Sequence, residues 1–296
     1  MKLAGALITS ILIYVAGSAQ THQEIDTIPT HDYYNHLFLK INSPSGNIQV
    51  KPAKECGNII TQLQTHEQSL TQQHHTRKDS FGNVYLTYSI EKNQHPQTFN
   101  ARMAIPKALN YEEKESYTAR YIGDPNIPTN LWINLGSGSS EIDLSQMTLN
   151  NLRIQSAMSD VHITYSSPNK TDMHQMEIHV ASANVKLENI EYARAEVINI
   201  RNDMGNTEIT MGIGYKPATN VHVMSGTGDC TIRIKQQQPA KIILRNGMFS
   251  HAKFSGSFEE ISDKVYVNSS YKRNSKEASM IICETDLGSI HVIEIN

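Results

Sequence analysis

Four stretches of this chain are built alike: RIQSAMSDVHITY, NIRNDMGNTEITMGIG, VHVMSGTGDCTIRI and ICETDLGSIHVIEI. Each alternates apolar and polar residues, breaks at a short turn of glycine or small polar residues, and alternates again. Alternation sends every second side chain to one face, the signature of a half-buried strand. The first inward residues after each turn are Ile142, Val161, Val185, Thr207, Cys230, Ala252 and Ile290, separated by 19, 24, 22, 23, 22 and 38 residues. The last gap reads as one unit plus an insertion, SFEEISDKVYVNSSYKRNSKEA. A two-strand unit of that length cannot bury its apolar face alone, but stacked copies cover one another. Upstream, SPSGNIQV and SFGNVYL repeat the phrase at Ile48 and Val84. The predicted fold is all-β: a single β-solenoid of stacked two-strand rungs of about 22 residues, with little helix. An antiparallel sandwich also gives short strands between turns. The near-constant period and the fixed order of the phrase favour the solenoid.

The chain opens MKLAGALITSILIYVAGSAQ: one lysine, an apolar run, then Gly17, Ser18 and Ala19. That reads as a signal peptide over residues 1–19, cut after Ala19. The run is shorter than the ~20 apolar residues a membrane span needs, and no later stretch is long and apolar enough. The expected mature domain is 20–296, with irregular rungs and long loops over 20–130 and regular repeats over 131–296. IPKALNYEEKES (Ile105 to Ser116) reads as a short helix or a long loop, and TQLQTHEQSLTQQHHTRKDS (Thr61 to Ser80) as a polar, exposed excursion.

Composition excludes some functions. The net charge of −3 is dispersed, and the only basic block is the short YKR at Tyr271 to Arg273. Nucleic acid is therefore not an expected partner. Cys56, Cys230 and Cys283 are too few for a disulfide framework. Cys230 and Cys283 sit in strand-like runs, where the simplest reading is a small buried side chain; pairing stays open.

Each candidate for chemistry has a plainer reading. GSGSS lacks the last glycine and the following helix of a nucleophile elbow, and neither GIG nor GTG extends to a dinucleotide loop. His66, His74 and His75 with Glu67 and Asp79 form a histidine-rich cluster, but without the tight spacing of a zinc site. No metal, cofactor-binding or catalytic residue is assigned. The outward residues beside the anchors, namely Asp143, His162, Lys186, Glu208, Thr231, Lys253 and His291, are expected to form a polar ladder on one face. That ladder lacks aromatic residues, and the only tryptophan is Trp132. A polysaccharide lyase or hydrolase would need neighbouring carboxylates. The acidic doublets Glu112-Glu113 and Glu259-Glu260 fall in irregular stretches.

LGSGSSEIDLSQMTLNNLRI (Leu135 to Ile154), SDVHI (Ser159 to Ile163) and GNTEITMG (Gly205 to Gly212), with SPSGNIQV as an opening turn, resemble the toast-rack family. These are bacterial cell-envelope β-solenoids labelled adhesins, similar to the C-terminal domain of the envelope-stress regulator LiaF. The chain departs from the family's glycine habit at SAMSD and ASAN. The resemblance implies an exported envelope protein without catalysis, of the periplasm or cell surface. The function expected is thus a non-catalytic, adhesin-like scaffold or ligand-presenting module. The alternative is a carbohydrate-active β-helix enzyme. Partners would be an envelope glycan, another envelope protein, or a second copy docking on an open edge formed by the final SIHVIEIN.

Overall fold

A computed structural model describes residues 9–12, 22–30, 35–54, 57–66, 70–92, 117–213 and 219–296. Among them the chain forms twenty strands and little helix. The first eight are β1 (Thr9–Leu12), β2 (His22–Pro29), β3 (Leu37–Ser43), β4 (Asn47–Pro52), β5 (Asn58–Thr65), β6 (Leu70–Lys78), β7 (Val84–Lys92) and β8 (Tyr117–Gly123). Two long strands follow, β9 (Thr129–Asp143) and β10 (Leu149–Thr164). Then come the short pairs β11 (Met173–Ser182) with β12 (Val185–Glu188), β13 (Ala195–Met204) with β14 (Thr207–Met211), and β15 (Asn220–Thr227) with β16 (Cys230–Lys235). The remainder is β17 (Ala240–Ser255), β18 (Glu259–Ser262), β19 (Val265–Val267), a single helical turn α1 (Ser269–Arg273) and β20 (Ser279–Ile295).

All twenty join in one sheet, through two files of pairing. The first file runs β6, β7, β3, β9, β10, β11, β13, β15, β20, β17, β19, β18. The second runs β1, β2, β5, β8, β4, β9, β10, β12, β14, β16, β20, β17. Strands β9, β10, β17 and β20 belong to both, pairing in the first file through their leading halves and in the second through their trailing halves. The sheet therefore folds over at each corner and encloses one core. Pairing is parallel from β7 and β8 to β17; the antiparallel pairs lie at the ends.

The inward residues explain the register. Leu39, Leu131, Leu152, Met176, Ile198, Val221, Ile281 and Ile242 are partners from strand to strand, and all are buried. Each such side chain contributes about 1.5–3 kcal/mol when removed from water. A slip of one residue would turn the whole file outward. Facing it, the second file stacks Ile48, Ser140, Val161, Val185, Thr207, Cys230, Ile290 and Ala252. Six of the seven anchors read from the repeat thus share one column, although Ala252, on the outermost strand, is exposed rather than inward. Ile142 instead pairs with Ile163, and Ser140, two residues earlier, takes the place in the column. Val84 pairs with Leu37 in the other file.

The corners are held by two devices. Gly205, Gly228 and Gly288 all have left-handed backbones (φ 125, 123 and 128°). They also stack: a Cβ on Gly228 would stand 2.3 Å from the Gly205 carbonyl oxygen, and one on Gly288 2.2 Å from that of Gly228. Only glycine allows that approach. Buried polar side chains before two of the corners tie backbone, Asn202 that of the neighbouring β11–β12 corner and Ser156 that of its own. Asn202 Nδ2 donates to the Ala183 carbonyl at 3.1 Å, and Ser156 Oγ donates to Ser159 O at 2.7 Å while accepting its N–H at 2.9 Å. In SAMSD the serine hydroxyl does this without a left-handed residue, which is why no glycine is needed there.

Three expectations change. The regular two-strand coil is not uniform, since β9, β10, β17 and β20 run through their corners uninterrupted. Thr61 to Ser80 is no excursion but the end of β5, whose partners are β2 and β8, and β6, which pairs with β7. The final strand is not an open edge: β20 lies between β15/β16 and β17, so its predecessor in sequence is its outer neighbour in space. The insertion at 257–278 supplies β18 and β19, and β19 covers the outer edge of β17 from Lys241 to Ile243. Ile105 to Ser116 and Cys56 lie outside the described residues.

Candidate binding face

In the first file the same alternation that buries Leu39 and Leu131 turns Phe38, Lys40, Asn130 and Trp132 outward. Register then lines them up. Tyr85, Phe38, Asn130, Asn151 and Gln175 are successive partners, and Thr87, Lys40, Trp132, Arg153, Glu177 and Asn199 form the next column. Trp132 is 49% exposed and Phe38 37%. Phe38 stacks on Tyr85, with ring centres 4.7 Å apart and planes within 9°. The Arg77 guanidinium caps the Tyr85 ring at 4.6 Å, and that of Arg153 lies 5.9 Å from the Trp132 ring.

Three depressions follow one another along this face. One of about 210 Å³ lies among Phe38, Lys40, Tyr85, Thr87 and Trp132. The next, about 280 Å³, shares Phe38, Asn130 and Trp132 and reaches Asn151, Gln175 and Glu177. The third, about 360 Å³, continues from Arg153 to His179, Arg201, His222 and Met224. Together they cross seven strands from β7 to β15, on the order of 30 Å at ~4.8 Å per strand.

Several polar groups of the face are engaged with one another. Asn151 Nδ2 donates to Asn130 Oδ1 at 2.7 Å, and Asn134 Nδ2 to Asn42 Oδ1 at 2.8 Å. Arg153 pairs with Glu177 at 3.5 Å, and Arg201 with Asp203 at 2.7 Å. Glu284 takes both His222 (3.0 Å) and Arg245 (2.8 Å). The Arg201 hydrogen bond holds the Asp203 carboxyl below its ordinary value, with desolvation opposing. At Glu284 desolvation pulls upward, and hydrogen bonds from Arg245 and His222 outweigh it, leaving the carboxyl lowered. Both carboxylates therefore stabilise the fold above the usual carboxylate range. That contribution fades as pH falls through their lowered values.

The polar ladder expected beside the anchors forms on the second file, shifted at one rung. Glu141, not Asp143, pairs with His162, followed by Lys186, Glu208, Thr231, His291 and Lys253. His162 meets Glu141 at 2.9 Å and Glu188 at 3.6 Å, while Lys186 takes Glu188 at 2.6 Å. The hydrogen bond from Lys186 holds the Glu188 carboxyl below its ordinary value. Of the histidine-rich cluster, His74 turns toward Asp26 at 3.6 Å, and Asp79 caps the β6–β7 turn through the Phe81 and Asn83 N–H groups. Glu67 is outside the described residues. Among the described residues no three His, Cys, Asp or Glu side chains gather as metal ligands. Cys230 and Cys283 are buried free thiols.

The aromatic face lies on the strands before the corners, whereas the repeat is marked by the residues after them. In the strands before the corners, LFLKIN, LWINL, LRIQ and MEIHV, Lys40, Trp132, Arg153 and Glu177 share one outward column, with Phe38 two residues before Lys40.

The sequence matches the family model described as the N-terminal domain of toast_rack over residues 16–187, more than half of the chain. The chain belongs to the toast-rack family. No curated protein matches it. Among solved structures, this toast-rack chain is similar to a "putative cell adhesion protein" from Clostridium sporogenes ATCC 15579. That likeness has 15% identity and a TM-score of 0.45, covering 93% of this chain and 100% of that one. It is also similar to a "putative adhesin" from Bacteroides fragilis NCTC 9343, at 10% identity and a TM-score of 0.37, covering 91% and 96%. Similarities this low transfer neither fold nor function. Among the described residues no helix is long and apolar enough to cross a membrane.

Proposed function

We propose that this toast-rack chain is an exported, non-catalytic, adhesin-like module of the bacterial periplasm or cell surface. In this reading residues 1–19, β1 among them, are a leader, and 20–296 a solenoid-like scaffold whose second file begins at β2 once the leader is removed. The outer face of its first file is the part that binds. The observation that supports it is the run of three depressions around a half-exposed tryptophan, on a face whose Arg153 and Arg201 are ion-paired. Exposed rings set in a polar surface mark interaction sites.

The grouping that comes nearest to an enzyme is Glu141, His162 and Glu188. A general acid needs a raised carboxyl pKa, whereas Glu188 is ion-paired and lowered. The reading is therefore binding, not turnover. Sedimentation with bacterial envelope fragments tests it. The full chain is expected in the pellet, with the bound fraction reduced several-fold by Trp132→Ala and unchanged by Lys253→Ala on the opposite face. Equal retention of wild type and Trp132→Ala would overturn the choice of face.

A further inference from the structure

We infer that the groove around Trp132 takes a neutral, extended glycan chain, lying across the strands from Tyr85 toward His222. This rests on the binding face proposed above and names its ligand. Three features of the face converge on that chemistry.

The first is the pairing of apolar rings with amides. Phe38 and Trp132 line the same two depressions, with Asn130 between them. A pyranose ring has an apolar C–H face that packs on an aromatic ring, and an equator of hydroxyls that both donate and accept. An amide ladder suits such hydroxyls. Within the Asn130–Asn151 pair, the Asn151 amide group donates to Asn130 Oδ1, leaving the Asn130 amide hydrogens and the Asn151 carbonyl for a ligand.

The second is charge. Arg153 and Arg201 along the groove each have a carboxylate of their own, in Glu177 and Asp203, and only Lys40, beside Trp132, has none among the described residues. An anionic polymer would have to displace those partners, and a cationic one the arginines. A neutral ligand leaves them undisturbed.

The third is spacing. The columns rise by one strand at a time, ~4.8 Å, close to the advance of one sugar unit in an extended chain, so successive units would meet successive strands. The depressions open on the face of the sheet, where backbone groups are already paired across strands. A peptide therefore has no free strand edge here on which to add itself.

Trp132 is the chain's single tryptophan, so its fluorescence reports on this site alone. Chitohexaose and cellohexaose are titrated into the full chain, with polygalacturonate as the anionic comparison. The expected result is a saturable intensity change and blue shift with at least one neutral hexasaccharide, insensitive to salt between 50 mM and 500 mM on the scale of ionic screening. Calorimetry on Trp132→Ala and, separately, Phe38→Ala is expected to show affinity lowered roughly three- to tenfold or more. Both variants are checked for an unchanged thermal melt. Lys253→Ala should bind as wild type does. No saturable signal from either neutral sugar, or a salt-sensitive response to polygalacturonate only, overturns the ligand assignment. If envelope binding still depends on Trp132 in that case, the face stands and only its ligand is wrong. If envelope binding is also independent of Trp132, the proposed binding face fails with it.

Discussion

A methyl group at Gly228 would have nowhere to go. Its Cβ would meet the Gly205 carbonyl at 2.3 Å, on a backbone already at φ 123°. Gly228→Ala is expected to cost at least about 1–3 kcal/mol from backbone strain alone, lowering the melting temperature by roughly 2–10 °C. Gly57 has a comparable φ of 102° but nothing within 4 Å of a Cβ. Gly57→Ala should therefore cost less, and equal losses in calorimetry would mean the stacked carbonyl is irrelevant. Glu191 gives a second residue-level test. It is buried beside Gly212, and desolvation raises its carboxyl pKa, partly opposed by the Gly212 N–H. A raised folded-state pKa stabilises the fold only while the group is protonated, below the ordinary carboxylate value of ~4.3, and that support is lost as pH rises. Glu191→Gln should thus melt higher than wild type at pH 7–8, with the difference vanishing below about pH 4. Burial also pushes the Cys230 thiol up to about 12. In a Cys56→Ser background, Cys230 and Cys283 should react with a thiol reagent only after denaturation.

Among the elements, periodicity was a sound guide wherever both halves of a strand bury apolar residues. Val161, Val185, Thr207 and Cys230 fall in one column as the spacing predicts. It failed in β5 because Thr61 and Thr65 occupy inward, buried positions and read as polar. It failed in β6 because this strand lies at the end of the first file with only Leu70 buried, so no alternation is imposed on it. The order of the last two long strands was invisible for another reason. β17 and β20 carry the same alternating grammar, and nothing local distinguishes the inner seat from the outer one. Their exchange makes a prediction. Truncation before Ser279 should not simply shorten the stack by one layer. It removes the partner of β17 along its whole length, so loss of cooperative unfolding and aggregation at the exposed β15/β16 edge are expected by calorimetry and light scattering.

Over the whole molecule, the two files share one hydrophobic cluster that runs from Ile28 to Val292, with no gap at residue 131 where the sequence suggested a change of character. Far-UV circular dichroism and Trp132 fluorescence should therefore report one coincident thermal transition. Separate midpoints would show that the layers melt in groups, as long repeat arrays can. The family was legible from the corner motifs, since backbone geometry demands particular residues there. The binding face was not, because outward positions obey no packing rule, and their meaning appears only when register brings distant letters side by side. The interleaving of β17 and β20 also bears on timing. A chain made in order has β17 in hand before its seat exists, so that strand must wait, or rest temporarily against β15 and β16 and later yield. The slow step of assembly would then be this late exchange of neighbours, and a protein caught before it would be nearly complete in content yet unfinished at one end.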